Sequence, residues 1–207
     1  MVAGTFNQLV LNTDYVIASQ NFFRDQLATD IQNHGSFAAG GLTATCPLIA
    51  LEGSVTSESS KQVGSRIRVY GIDERFWKFH NHADVGLQNN EAWLSESLAR
   101  ELGAQTGESI LLRLEKPSAI PVESLHSRKE NRDASLRLTA KISESGSLGE
   151  FSLQPQQGAV RALFVPLSTL QKELELQGKV NLVLIDGSLQ NETVQQATVT
   201  RQSLEAI

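Results

Sequence analysis

The feature that most constrains this fold is the segment at residues 69–77, which reads VYGIDERFW. Residues 66–70 alternate polar and apolar side chains, which is the pattern of a strand with one buried face. A glycine and an acidic turn follow, and then Phe76 and Trp77 supply two large apolar side chains. This order predicts a strand that runs into a helix or turn anchored by its aromatic residues.

Further strand patterns recur along the chain, and they are rich in Val, Ile, Leu and Thr. Besides 66–70, strands are predicted at residues 15–18, 42–55, 109–115, 136–142, 160–165 and 180–185. Residues 56–64 are polar and predict a hairpin connection, and residues 117–132 predict a loop. Residues 190–207 are expected to form a weakly amphipathic helix.

Three more helices are predicted between these strands. We expect Ser19 to cap the first, because its hydroxyl can accept a hydrogen bond from an orphan backbone N–H, and Gly35 to end it. Ser95 is expected to cap the second, which ends at Gly103. Pro166 starts the third, where a first-turn N–H has no partner to lose.

Strand–helix–strand units at both ends and a strand-rich middle predict an α+β fold. We expect residues 1–72 and 151–207 to form one α/β part, with residues 73–150 as an inserted mixed, strand-rich subdomain. The 207 residues are enough for one domain or two small ones. With 40% hydrophobic residues, a chain of this length can build a core without disulfides.

Composition excludes several classes of function. The net charge of −5, without a long basic run, argues against a nucleic-acid partner, which needs a basic face. No segment approaches the ~20 apolar residues that cross a bilayer, and residues 1–8 lack the basic and apolar regions of a signal peptide. We therefore expect a soluble chain, either a whole protein or a piece of a larger one. The single cysteine, Cys46, is expected to be a small buried apolar residue.

No motif marks a catalytic, cofactor or metal site. His80, His82 and Asp84 could converge on a metal if their backbone were extended, but a solvated loop is the favoured interpretation. Residues 103–107 resemble a phosphate loop but lack its lysine and trailing helix, so we interpret them as a turn. Neither a Gly-x-Ser-x-Gly elbow nor a His-Glu-x-x-His motif occurs. We predict no catalytic residue, no cofactor and no metal.

Two pairs of aromatic residues could either pack in the core or bind a partner. They are Phe22-Phe23, which Arg24 follows, and Phe76-Trp77. Core packing is the ordinary fate of large aromatics. Aromatic and arginine side chains are also enriched in the residues that dominate protein interfaces.

Several segments recur in one class of membrane transport proteins in the same order. They are residues 14–15, 21–24, 69–77, 94–99, 102–103, 107–121, 151–153, 164–167, 170 and 181–184. In this order and spacing the chain resembles the extracytoplasmic domain of ABC transporter permeases of the FtsX/MacB type. The likeness covers most of residues 14–185, and the residues after Gly187 match nothing in that pattern.

The resemblance implies a non-catalytic domain on the periplasmic or extracellular side of a cell-membrane protein. It implies a porter-like α/β part built from both ends of the chain, and transmembrane helices in the parent permease before and after it. A cytoplasmic ABC ATPase would hydrolyse ATP, and the domain would couple that cycle to a periplasmic adaptor or substrate protein, for export or for mechanotransmission. The full transporter would be a homodimer. No partner-binding residue of the family can be carried onto a position of this sequence.

Two alternatives stay open at this stage. The chain could be a free-standing periplasmic or surface binding module, which apolar spans on both sides of it in the gene would eliminate. It could also be a hydrolase whose site is assembled from distant residues. A deep pocket holding titratable groups with strongly shifted pKa values would favour the hydrolase.

Overall fold

The computed structural model describes residues 2–5, 13–84, 86–116, 133–142, 151–153 and 159–187. Within these ranges the chain forms nine strands and five short helices, in agreement with the α+β class. The strands are β1 (Val2–Thr5), β2 (Tyr15–Arg24), β3 (Leu42–Ser57), β4 (Val63–Ile72), β5 (Glu91–Leu94), β6 (Ser109–Glu115), β7 (Asp133–Ile142), β8 (Ala162–Pro166) and β9 (Lys179–Gly187). The helices are α1 (Gln26–Gln32), α2 (Ser36–Ala39), α3 (Glu74–Phe79), α4 (Glu96–Leu102) and α5 (Leu167–Glu173). The loop predicted at 117–132 and the helix predicted at 190–207 lie outside the described residues.

Six strands close on one another into a barrel, in the order β3-β4-β8-β5-β7-β6 and back to β3. The β4–β8 and β5–β7 pairs are parallel, and the other four are antiparallel. Side-chain alternation fills the core of the barrel, because every second residue of each strand points inward. On β6 these inward residues are Ile110, Leu112 and Leu114, all buried. Closure leaves this part of the sheet without a free strand edge.

Helices α4 and α5 close the two ends of the barrel core. Gly64 and Gly71 on β4 allow the close approach, because a Cβ at Gly64 would lie 3.2 Å from Leu98 of α4. A Cβ at Gly71 would lie 2.9 Å from Leu170 of α5, closer than real Cβ contacts come. A larger residue at either glycine would therefore force the facing leucine side chain to shift.

The remaining strands form an open antiparallel sheet in the order β1-β2-β9-β3. Helices α1 and α2 cover one face, where Ala28 and Phe37 pack against Val183 and Ile185. Helix α3 covers the other face. The 16-residue strand β3 belongs to both parts, because Leu42 to Leu48 pair with β9 and the residues from Ile49 onward pair with β4.

A side-chain clamp marks the point where β3 leaves the open sheet and enters the barrel. The Nδ2 of Asn181 on β9 donates to the carbonyl oxygen of Ala50 at 2.8 Å, and the backbone N–H of Ala50 donates to Asn181 Oδ1 at 2.8 Å. The side-chain amide of Asn181 thus takes the place of a neighbouring strand. Without it, the backbone N–H and C=O of Ala50 would need another hydrogen-bond partner.

The predicted start of the first helix is wrong. Ser19 does not cap a helix, because β2 continues to Arg24 and α1 begins only at Gln26. Phe23 pairs with Val180 and packs against the barrel core, so tertiary contacts outweigh local helix propensity. Gly35 does not end this helix either, since it stands before α2 as its N-cap residue.

Several local predictions are confirmed. Ser95 caps α4 by accepting a hydrogen bond from the backbone N–H of Leu98, and Gly103 ends the helix in the left-handed conformation at φ 58°. The hairpin between β3 and β4 also forms. The division of the chain at residues 72 and 151 stays a prediction; strands β3, β4 and β8 share the barrel with β5, β6 and β7.

Candidate functional site

A cleft of about 320 Å³ lies at the carboxyl ends of β4 and β8. These two strands are parallel neighbours, so Ile72 and Pro166, their last residues, lie side by side. Helix α3, the beginning of α5, Asp84 with residues 86–89, and Asp25 supply the walls. The cleft therefore collects residues from four separate stretches of the chain.

The helices that follow the two strands go to opposite faces of the sheet. Helix α5 packs on the barrel side, with Val69 and Val165 beneath it. Helix α3 packs on the other side, in a cluster with Tyr70 and Phe164. Val69 and Tyr70 are successive residues of β4, and Phe164 and Val165 are successive residues of β8. Because successive residues of a strand point to opposite faces, the helices that pack on them lie on opposite sides of the sheet.

Asp73 and Arg75 form a tight pair within the cleft. Asp73 is the N-cap residue of α3 and accepts a hydrogen bond from the backbone N–H of Arg75 at 2.9 Å. The guanidinium of Arg75 binds the same carboxylate through Nε and through one terminal nitrogen, at 2.5–3.1 Å. This pair orders the start of α3 and satisfies both charged groups.

The other charged groups that line the cleft are acidic. They are the carboxylates of Asp25, Glu74 and Asp84. With the Asp73–Arg75 pair included, four carboxylates and one guanidinium leave the lining with a net charge of −3. Asp84 accepts a hydrogen bond from the backbone N–H of Gly86 at 2.8 Å, which holds its carboxylate at the rim.

The residues considered as metal ligands do not come together. His80 is buried among the rings of Phe76 and Phe79, with centroids 4.6 and 5.1 Å away. Asn81 has a φ of 53°, so the backbone is not the extended one that convergence requires. His82 lies beside Trp77 instead. In the part of the chain that the structure describes, no group of three His, Cys, Asp or Glu side chains could hold a metal ion.

Cys46 and residues 103–107 are as predicted. Cys46 is fully buried, and burial together with the negative charge of Asp73 raises the pKa of its thiol. It is therefore a neutral apolar side chain rather than a nucleophile. Residues 103–107 connect α4 to β6 as a turn.

The aromatic pairs serve the core. Phe76 and Trp77 are buried, and Trp77 stands edge-on to Trp93 with ring centroids 5.3 Å apart. Tyr70 lies in the same cluster, and burial raises its pKa to about 12. On β2, Phe22 packs partly buried against the barrel core.

Sequence reasoning missed Asn181 and the acidic cleft. Asn181 had a visible signal, because it is the one polar residue of the apolar run at 180–185. The cleft had no local signal, since Asp25, Asp73 and Asp84 come from separate stretches that only the fold brings together.

No protein-family model matches the sequence, and no curated protein matches it significantly. Solved structures do match. The extracellular domain of the noncanonic ABC-type transporter YknZ from Gram-positive bacteria is 8% identical over 84% of this chain and 78% of that chain, with a TM-score of 0.50. The periplasmic region of MacB from Actinobacillus actinomycetemcomitans is 13% identical over 91% of this chain and 75% of that chain, with a TM-score of 0.45.

This chain and the YknZ domain share a fold. The resemblance to extracytoplasmic domains of ABC transporter permeases, inferred from the sequence, is thereby confirmed at the level of the fold. The match also covers most of both chains, so it extends beyond a single motif. Among the described residues, no helix is long and apolar enough to cross a membrane.

Proposed function

We propose that this chain is the extracytoplasmic domain of an ABC transporter permease and that it catalyses no reaction itself. The fold shared with the YknZ extracellular domain, over 84% of this chain, is the observation that carries the proposal. The segments that suggested the same family from the sequence support it independently. Several of them fall on elements that organise the fold, among them the end of β4, the capped helix α4 and strand β9.

In the proposed mechanism the domain is moved rather than chemically changed. A cytoplasmic ABC ATPase would act on the parent permease, and the motion of its membrane helices would reposition this domain outside the membrane. The domain would then change its grip on a periplasmic adaptor or substrate protein. Such a cycle needs two arrangements that differ by roughly a few kcal/mol, so that nucleotide binding can select one of them. In the full transporter we propose a homodimer.

We propose that the open sheet belongs to a porter-like part built from residues 1–72 and 151–207, with residues 73–150 inserted. Strands β1, β2 and β9 come from the two ends of the chain and pair with one another, which supports this assignment. Strand β3 supports coupling between the open sheet and the barrel, because it continues from one into the other without a break.

Cysteine labelling of the full gene product in intact cells tests the location. Val63 on β4 is 56% exposed, whereas the natural Cys46 is fully buried. In Val63→Cys we expect a membrane-impermeant maleimide to label the protein without lysis, after the outer membrane is permeabilised where one exists. The same protein without this substitution, in which any cysteine outside residues 1–207 has been replaced and Cys46 is kept, should stay unlabelled until it is denatured.

A cytoplasmic protein with an exposed cysteine, followed in the same cells, shows that the inner membrane has stayed intact. Labelling of Val63→Cys only after lysis would place the domain in the cytoplasm and refute the proposal. Recovery of the protein in the soluble fraction of the cell would refute it as well.

A further inference from the structure

The cleft lies at a topological switch point of the sheet. Strands β4 and β8 are parallel neighbours, and the helices that follow them lie on opposite faces. The two chain segments therefore turn away from each other as they leave the strands, which opens a crevice beyond the carboxyl ends. In open α/β sheets, small ligands bind in crevices that arise in this way, and the β4–β8 pair reproduces that local geometry. The position of the cleft thus argues for a binding site before its side chains are considered.

The lining combines negative charge with an apolar wall. Its net charge is −3, and the rim groups Asp25, Glu74 and Asp84 come from three different stretches of the chain. Trp77 and Leu87 are among the apolar residues of the wall. A carboxylate rim favours a cation, and an apolar wall favours an aliphatic stem that carries the cation.

The volume restricts the size of the ligand. About 320 Å³ is near the lower end of small-molecule sites, which span roughly 300–1,000 Å³. We propose that the cleft binds a primary ammonium group on an aliphatic stem, either of a free polyamine or of a lysine side chain on a partner polypeptide. This inference concerns the cleft alone and goes beyond the transporter assignment, so either one can fail without the other.

Two probes distinguish the sources of the ammonium group. We would titrate the full chain at low salt with spermidine, and separately with the blocked peptide acetyl-Gly-Lys-Lys-Gly-amide, and follow amide NMR shifts. We expect saturable shifts in the residues at the start of α3, in Asp84 and in residues 86–89. Saturation with spermidine alone identifies a free amine, and saturation with the peptide identifies a polypeptide source. The peptide with both lysines acetylated keeps the aliphatic stems but not the charge, and it should not bind.

Matched variants assign the binding to the cleft. Glu74 and Glu96 are each the first residue of a helix, each pairs with a cation four residues on, and their side chains are 68% and 62% exposed. Glu74→Gln should weaken binding by about two- to fivefold, the effect of one exposed charge pair. Glu96→Gln should leave the affinity unchanged, because this residue is not part of the cleft lining.

A second rim variant strengthens the test. Asp84→Asn keeps an oxygen that can accept from the N–H of Gly86, so the loop should hold its conformation. Combined with Glu74→Gln it should weaken binding by about tenfold. Absence of saturation with both probes would overturn the proposal. So would an affinity that Glu74→Gln and Glu96→Gln lower equally, because the amines would then be attracted only by the general negative charge of the protein.

Discussion

The barrel and the open sheet bury their strands by different means. The barrel closes on itself, so its wall has no free edge and its core is filled by its own inward side chains and by two end helices. The open sheet relies on helices against both faces, and within the described residues β1 is paired on one side only. A closed part can stay rigid alone, whereas an open part depends on what packs against it.

The two parts meet at a small number of residues. Strand β3 runs through both, and Asn181 supplies the hydrogen bonds that Ala50 needs where the strand changes partners. The aromatic cluster around α3 fills the space between the open sheet and the outer side of the barrel strands. Perturbing these residues and the barrel core separately measures how far each part depends on the other.

The largest effect is expected at Trp77, in the aromatic cluster between the two parts. This side chain is 3% exposed and packs against Phe76 and Trp93. Trp77→Ala should lower the free energy of unfolding by about 3–5 kcal/mol, because it removes a large buried ring. The melting temperature should fall by roughly 10 °C in a thermal scan. A fall of only one or two degrees would contradict the core role and favour a surface role.

The next largest change in the free energy of unfolding is expected in the interior of the barrel, and it can be compared with the change at the end of a strand of the open sheet. Leu112 on β6 is fully buried, whereas Leu42 at the start of β3 is only partly buried. Leu112→Ala should cost about 2–5 kcal/mol in urea unfolding, and Leu42→Ala about 1 kcal/mol. Equal costs would remove the contrast in packing between the two parts.

A smaller effect is expected at the junction. Asn181→Leu keeps the approximate volume but leaves two backbone groups of Ala50 without their partner, at a cost of about 1–3 kcal/mol. The informative measurement is hydrogen exchange of the Ala50 amide, which should become faster. As a control, the amide of Leu112 should exchange as before once global stability is taken into account. An unchanged Ala50 amide would show that the clamp does not hold the two parts together.

The smallest effect is a pH dependence at the β5–β7 seam of the barrel. The hydrogen bond from Lys141, followed by the backbone N–H of Gln88, holds the pKa of Glu91 below its usual value of 4.5. A lowered folded-state pKa means that the stabilisation is present above about 4.5 and disappears as the pH falls through the folded-state value. Glu91→Gln should flatten the dependence of stability on pH below 4.5, in urea unfolding at several pH values. The reverse sign, with stability lost as pH rises, would contradict it.

Much of the local structure could be predicted from the residues alone. The alternation at 136–142 identified β7, and the Ser95 cap with its Gly103 end identified α4. These predictions succeed because side-chain period and capping chemistry act over a few residues. An acidic turn followed by aromatics predicted a helix or a turn after β4, and the structure has helix α3 there.

Non-local features could not be predicted in this way. Phe23 lies in a strand rather than on a helix because Val180, far away in the sequence, pairs with it. The pairing of β3 with β6 closes the barrel, and the cleft appears only once β4 and β8 are neighbours. Neither contact has a signature in the neighbouring residues.

The sequence by itself determined the buried face of elements such as β7 and α4, because the spacing of apolar side chains selects one face of a strand or helix. It also pointed to a transporter-type fold through the order of short segments. Only the tertiary structure decided which strands meet, where the sheet closes and which acidic groups share the cleft. The physical reason is that backbone hydrogen bonds are nearly the same for every residue, so the choice of partner is made by the packing of the whole chain.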